Sequence, residues 1–239
     1  MKKTILVIVM LFIGYSANSQ VLISLLLGDV LNSDKIEFGL DGGVNFANIA
    51  NLDPGKSLAL FNLGFYFDIK LKEQLMLHTG VLVKSNQGAD MLDPYSLNNP
   101  NLDEVFSTGH ITRKINNFSV PIMLKYRFAG LFHLEAGPML ALRTKGYDEF
   151  KNTVIDAEDV TYKLDIKDNY KRIDAGIMVG AGFKLSKKIP KSSQIGIRYY
   201  YGLVDPLIDN PGKSQNFSSF YLYFSIPIGT HNKPEEETE

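Results

Sequence analysis

The segment from Ile115 to Gly146, INNFSVPIMLKYRFAGLFHLEAGPMLALRTKG, contains two alternating patterns joined at Ala129-Gly130. In the first half, apolar and aromatic residues occupy every second position from Phe118 to Phe128. The second half repeats this alternation from Phe132 to Leu142. A period of two indicates β-strands whose two faces meet different environments.

The length of these two strands separates them from strands of soluble proteins. Each pattern runs for about ten residues or more, whereas a strand of a soluble protein usually has about 5–6. A tilted strand of about 9–11 residues is long enough to cross a bilayer. The segment therefore predicts a transmembrane β-hairpin.

The rest of the chain repeats the same pattern and predicts one closed barrel. The fold class we expect is all-β: an eight-stranded antiparallel up-and-down transmembrane β-barrel with short periplasmic turns and long extracellular loops. The predicted strands lie at about 35–47, 58–70, 75–87, 118–128, 132–142, 171–185, 194–204 and 217–228. Long polar loops are expected at about 88–112 and 147–170, and tight turns at 72–74 and 129–130.

The ends of the chain predict export and flexible flanks. Lys2 and Lys3, an apolar run over Ile5–Ile13 and small residues before Gln20 are typical of a secretory signal peptide. We expect a cleavable signal peptide at 1–19, a leader at 20–34, the barrel at 35–228 and a disordered acidic tail at 229–239. The predicted location is the cell outer membrane.

Composition excludes several classes of function. The net charge of -1 does not suggest nucleic acid as a partner. The absence of cysteine rules out disulfides, thiol chemistry and a lipidated N-terminal cysteine. Average hydropathy is near neutral, as it is for barrels that carry apolar residues at every second position.

Charge decides which face of the predicted strands meets lipid. An Arg or Lys at the bilayer midplane costs roughly 2–4 kcal/mol, so the apolar face must point outwards. The interior of an eight-stranded barrel is just wide enough for side chains, and buried charges persist when they are paired. We expect a structural network of charges in the lumen: Glu37, Asp41, Asp68, Lys84, Lys125, Arg127, Glu135, Arg143, Arg172, Asp174 and Arg198. Such a network favours a closed bore, with a narrow conduction path as the alternative.

Four motifs resemble those of one family. They are FGLDGGVNF at 38–46, VPIMLKY at 120–126, LEAGP at 134–138, and DAG at 174–176 followed by GAG at 180–182. Together they resemble the PorT-like outer-membrane β-barrel family of Bacteroidetes. The resemblance implies an eight-stranded barrel that the outer-membrane assembly machinery inserts among outer-membrane lipids. It also implies secretion components as possible partners, because some relatives serve the secretion of other proteins.

Motifs for catalysis or cofactor binding are absent from the sequence. The four histidines lack the spacing of metal ligands, and neither a phosphate loop nor a nucleophile elbow occurs. We therefore expect no catalytic, cofactor-binding or metal-binding residues. His110, with Ser107 and Glu104 in an outer loop, keeps a lipid hydrolase open as an alternative.

The predicted function is that of a non-enzymatic outer-membrane barrel with a structural or secretion-related role. Its outer loops or its periplasmic rim would carry that role. The alternatives are a narrow porin-like transporter, a membrane-embedded lipid hydrolase and a lipocalin-like carrier whose apolar face would point inwards.

Overall fold

The computed structural model describes residues 31–128, 131–155, 158–187, 189, 191–209 and 212–229. The predicted signal peptide, most of the predicted leader, the turn at Ala129-Gly130 and nearly all of the acidic tail lie outside these residues.

The described residues contain nine strands and one α-helix. The strands are β1 (Ile36–Ile49), β2 (Leu58–Lys70), β3 (Leu75–Leu92), β4 (His110–Phe128), β5 (Phe132–Ile155), β6 (Glu158–Asp165), β7 (Ile173–Lys184), β8 (Gln194–Gly202) and β9 (Phe217–Pro227). Helix α1 spans Pro100–Phe106, and one 3-10 turn spans Lys167–Asn169.

Eight of these strands form a closed antiparallel ring. Their order is β4-β3-β2-β1-β9-β8-β7-β5, and pairing of β4 with β5 closes it. Each strand pairs with its sequence neighbour, except that β7 follows β5 in the ring and β1 pairs with β9. The prediction of an eight-stranded antiparallel barrel is confirmed. The ninth strand, β6, pairs only with the outer half of β5.

The two ends of the barrel differ as predicted. Short connections join β2 to β3 and β4 to β5, and the ring begins and ends on the same side, at Ile36 and Pro227. Longer connections join β1 to β2, β3 to β4, β5 to β7 and β8 to β9 on the opposite side. The short turns are therefore periplasmic and the long connections extracellular.

The predicted lengths of the two long loops were wrong, because the strands on either side are longer than expected. Strand β3 continues to Leu92, β4 already begins at His110, and β5 continues to Ile155 and folds back as β6. Above the bilayer the outward face of these strands is polar, as at Lys114, while their inward face keeps apolar residues such as Ile115. The polar composition concealed the alternation, so these segments were predicted as loops.

A small apolar core supports this extracellular sheet of β4, β5 and β6. Phe150 is fully buried, and its ring lies 5.8 Å from that of Phe106 at the end of α1 and 5.2 Å from that of Tyr95. The Asn99 side chain caps α1 by accepting a hydrogen bond from the Asn101 amide, and Pro100 starts the first turn. The core continues over the outer mouth of the barrel through residues such as Ile115.

The outer surface of the ring is apolar on every strand. Large apolar side chains point outwards and remain exposed, for example Ile122 at 41%, Ile177 at 48% and Phe220 at 57%. A water-soluble monomer rarely exposes so continuous an apolar surface, whereas lipid covers it in a membrane. Among the described residues, each helix is too short or too polar to span a bilayer.

Candidate functional site

Arg198 lies at the centre of the barrel interior and binds two carboxylates. Its Nε donates to Glu135 Oε1 at 2.5 Å, and its Nη1 donates to Asp41 Oδ2 at 2.5 Å. The guanidinium carbon also lies 3.8 Å from the centroid of the Tyr223 ring. The side chain is 2% exposed, so these partners replace the water that a charged group otherwise needs.

A glycine allows this ion pair to form across an intervening strand. Glu135 on β5 and Arg198 on β8 are both register partners of Gly180 on β7, which lies between them. A Cβ atom at Gly180 would lie 2.9 Å from Arg198 Cγ and 3.0 Å from Glu135 Oε1. The missing side chain therefore provides the space in which the carboxylate and the guanidinium meet.

Lys125 forms a second centre nearer the periplasm. Its Nζ lies 2.8 Å from Asp68 Oδ2 and 3.6 Å from Glu135 Oε2, and it donates to Gln194 Oε1 at 3.2 Å. The Gln194 amide in turn donates to Glu37 Oε1 at 3.1 Å. The three carboxylates of this centre and the ammonium group are buried.

His78 links the two centres into one network. Its Nδ1 lies 2.6 Å from Asp68 Oδ1, and its Nε2 lies 3.2 Å from Arg198 Nη2. Because arginine can only donate, Nε2 must accept, and the ring proton is then on Nδ1 and is donated to Asp68. The histidine therefore connects the Asp68 carboxylate to the Arg198 guanidinium.

Tyrosines satisfy remaining oxygens of the network. Tyr66 donates to Glu37 Oε1 at 2.8 Å, and Tyr221 donates to Asp41 Oδ1 at 2.5 Å. Such bonds matter because a buried carboxylate needs several donors to offset its lost hydration. We call the buried set of Glu37, Asp41, Asp68, His78, Lys125, Glu135, Gln194 and Arg198 the ionic core.

Six of the eleven charges predicted for the lumen lie together in the ionic core, and three lie elsewhere in the interior or at its ends. Asp174 is buried and accepts from Tyr200 at 2.7 Å, separately from the ionic core. Arg127 is half-buried beside a cavity of about 190 Å³ at the periplasmic end. Arg143 is half-buried at the outer end, where its guanidinium donates to the backbone carbonyl oxygens of Tyr170 and Lys171.

Lys84 and Arg172 are not in the lumen, and the prediction is wrong for both. The pairing of β2 with β3 shifts between Leu63 and Gly64, and this bulge turns Lys84 to the outer surface, where its Nζ lies 5.7 Å from the Phe61 ring centroid. Arg172 precedes β7, which begins at Ile173, and its side chain is exposed. Strict alternation could not reveal either irregularity.

The sequence did not reveal several other residues of the barrel interior. Gln194 and Lys184 are buried at the periplasmic ends of β8 and β7, at the ends of predicted strands, but neither was included among the lumen residues. Asp148 lay in a predicted loop and Arg113 outside every predicted strand, yet they form a two-point ion pair, Nε–Oδ1 at 2.7 Å and Nη2–Oδ2 at 2.6 Å. Their opposed positions on β4 and β5 would have suggested the pair if both strands had been extended.

The Arg113–Asp148 pair closes the extracellular side above the bilayer. Tyr95 donates to Asp148 at 2.9 Å, and Arg113 donates to the Tyr170 hydroxyl at 3.1 Å. Burial raises the pKa of Tyr95, and the adjacent Asp148 carboxylate raises it further. Burial also raises the pKa of Tyr170, and the Arg113 charge only partly offsets this effect. Both tyrosines therefore stay neutral and act as donors or acceptors within a packed mouth.

His110, Ser107 and Glu104 are not joined in the described structure. The Ser107 hydroxyl donates to the Glu104 backbone carbonyl at 2.7 Å, and no hydrogen bond connects it to His110 within the described residues. Across all residues that the structure describes, no group of three or more acidic or histidine side chains is arranged to hold a metal ion.

Comparison with known proteins identifies the class. The family model described as an outer membrane protein beta-barrel domain matches residues 27–207. The chain therefore belongs to this family and is an outer-membrane β-barrel protein. A comparison with curated proteins finds no match.

Solved structures of other barrels are similar to this chain at low identity. Ail, the attachment invasion locus protein of Yersinia pestis, is 10% identical over 82% of this chain and 99% of that chain, with a TM-score of 0.42. The outer membrane enzyme PagL is 12% identical over 80% and 99%, with a TM-score of 0.41. OprG from Pseudomonas aeruginosa is 10% identical over 81% and 94%, with a TM-score of 0.37.

Proposed function

We propose that this protein is a closed, non-enzymatic barrel that holds an extracellular β-sheet at the outer membrane. The observation that carries this proposal is the ionic core, in which Arg198 and Lys125 bridge strands from all sides of the bore. An ion entering the bore would have to separate charges that already satisfy each other. Breaking a buried ion pair costs about 3–5 kcal/mol, which would be a high barrier to conduction.

The packed extracellular mouth supports the same proposal. Phe106, Phe150 and Tyr170 belong to one buried cluster above the ionic core, and Arg113 is tied to Asp148 beside it. A solute would have to displace this cluster before it reached the ionic core. The narrow transporter is therefore the weaker alternative.

The sheet of β4, β5 and β6 is the part of the molecule that we propose meets partners. Its strands continue beyond the apolar band, and β6 and α1 make it a folded surface. We keep the PorT-like assignment as part of the proposal, with secretion components among the candidate partners. Crosslinking in native envelopes through labels on β6 is the test, and recovery of secretion components would support the export role.

Absence of enzymatic activity is also a proposal. It is supported by the Ser107 hydroxyl, which donates to the Glu104 backbone rather than to His110. We expect no deacylation of outer-membrane lipids by the purified protein. Deacylation that is lost in His110→Ala would establish a hydrolase instead.

The closed bore is tested by conductance of the reconstituted protein in a planar bilayer. We expect no current steps for the wild type. The variant Asp41→Ala/Glu135→Ala/Arg198→Ala removes the central charges of both signs. Current steps from this variant alone would make the ionic core the barrier, whereas a non-conducting variant would place the barrier at the packed mouth or at the Lys125–Asp68 pair. The matched surface variant, Lys84→Ala/Arg172→Ala, should show no current steps. Regular steps from the wild type would overturn the proposal in favour of a transporter.

A further inference from the structure

The apolar outer band ends in a cation on three strands of one side of the barrel. On β3 the outward run reaches Val83 and is followed by Lys84, and on β5 it reaches Leu142 and is followed three residues later by Lys145. On β7 the band stops at Ile173, and Arg172 comes directly before it. All three cations are exposed and lie at the extracellular border of the band.

The neighbouring strands of the ring place these cations close together. Lys84 lies beside Leu63 and near Phe118, Phe118 pairs with Leu142, and Leu142 pairs with Ile173. Lys145 is level with Asn86, two residues beyond Lys84, and Arg172 lies opposite Arg143, two residues before Lys145. With strands about 4.8 Å apart and a rise of about 3.3 Å per residue, about 12 Å separates the backbones of Lys84 and Lys145, and about 8 Å separates those of Lys145 and Arg172. We call Lys84, Lys145 and Arg172 the cationic collar.

The three collar side chains form no ion pair with other described residues. The Lys84 ammonium lies 5.7 Å from the centroid of the Phe61 ring. Higher on the same side, three lysines (Lys114, Lys151 and Lys163) surround the single carboxylate of Glu149. The surface around Glu149 is therefore positive, and the nearby Asp165 carboxylate is paired with Lys167.

Position and charge together select one ligand. Side chains at the border of the hydrocarbon meet lipid head groups, and long Lys and Arg side chains extend along apolar surface towards them. Phosphate oxygens are the acceptors that arginine and lysine bind most effectively. We propose that the cationic collar binds the phosphate groups of a phosphorylated glycolipid in the outer leaflet. This inference does not depend on whether the bore is closed.

The test reconstitutes the full-length protein in nanodiscs of zwitterionic lipid with a small fraction of bis-phosphorylated lipid A. Native mass spectrometry then measures how much glycolipid the released protein retains. Each cation near a charged membrane surface contributes about 1 kcal/mol, so Lys84→Gln/Lys145→Gln/Arg172→Gln should bind on the order of 100-fold more weakly. Lipid A without its phosphates should not be retained by either protein.

A matched control removes three exposed lysines at the periplasmic end. Lys35→Gln/Lys70→Gln/Lys72→Gln changes the net charge equally and should retain the glycolipid as the wild type does. Circular dichroism checks that both variants keep the barrel. Equal retention by the collar variant, equal retention of dephosphorylated lipid A, or displacement by millimolar inorganic phosphate would each overturn the proposal.

Discussion

Arg198 holds the carboxylates of Asp41 and Glu135 on one buried guanidinium group. Its contribution to stability is large because removing it would leave two buried carboxylates without their main counter-charge. Both acids would remain in the interior without their main counter-charge, and a buried unpaired charge is one of the few causes of a large loss of stability.

The first prediction compares two arginines that the sequence placed in the same lumen. We expect Arg198→Met to lower the free energy of unfolding by about 3–5 kcal/mol, because it breaks a buried ion pair. Arg172→Met should change it by no more than about 0.5 kcal/mol, because that side chain is exposed. Urea unfolding in lipid vesicles measures both, and equal effects would contradict the interior placement of Arg198.

The second prediction concerns Glu149, which lies on β5 above the apolar band. Burial raises its pKa, but the hydrogen bond from Lys114 and the charges of Lys114 and Lys151 outweigh burial, and the net pKa is lowered. Its contribution to stability is therefore present above the ordinary glutamate pKa, about 4.3, and is lost as the pH falls through the lower folded value.

We accordingly expect the extracellular sheet to become more sensitive to protease as the pH is lowered below about 4.3, in the range where Glu149 takes up its proton. Pepsin cleavage of the β5–β6 hairpin at a series of acidic pH values is the measurement. Glu149→Gln should be cleaved at a rate that varies less with pH. An equal pH dependence for both proteins would show that another group is responsible.

At the scale of elements, the extracellular sheet and the ring are separate units of stability. The ring closes through β4, β5 and β7 without any contribution from β6. The sheet depends instead on the small core around Phe150, where α1 and Tyr95 meet it.

The third prediction is that Phe150→Ala loosens the sheet and leaves the ring intact. Removing a fully buried phenylalanine costs about 3–5 kcal/mol, here confined to the local core. Chymotrypsin should then cut the segment between β3 and β4, which contains Tyr95 and Phe106, while circular dichroism keeps the β-sheet signal of the barrel. Phe220→Ala, at an outward position on β9, should leave this segment resistant. Loss of the whole barrel in Phe150→Ala would mean that the two units are coupled.

At the scale of the whole molecule, the sequence predicted the ring but not its irregularities. The segments around Ile122 on β4 and Ile177 on β7 alternate strictly. Lipid outside and charged side chains inside require apolar residues at every outward position and polar or small ones at every inward position. Lys84 was placed wrongly because a bulge reverses the side-chain direction without any change in composition. Arg113 and Asp148 were missed because water accepts polar residues on the outward face of an extended strand, so the apolar signal that reveals strands fades above the bilayer.

The ionic core could be predicted only as a set of residues. Alternation placed Asp41, Glu135 and Arg198 on the inward face, but their pairing depends on ring closure. It also depends on Gly180, which lies on the strand between Glu135 and Arg198. The bridging position of His78 could not be predicted, because a sequence does not show which two charges a side chain will connect. Contacts across the bore follow from tilt and closure of the whole ring.

The outward apolar face and inward ionic face are tested most directly by nitroxide labels. The chain has no cysteine, so single cysteines can be introduced without other changes. Labels at Ile122 and Ile177 should collide with oxygen dissolved in lipid, a label at Lys84 should report the border of the bilayer, and a label at Ser119 should be reached by neither oxygen nor a water-soluble reagent. A shielded Ile122 together with a lipid-exposed Ser119 would contradict the arrangement on which the closed barrel depends.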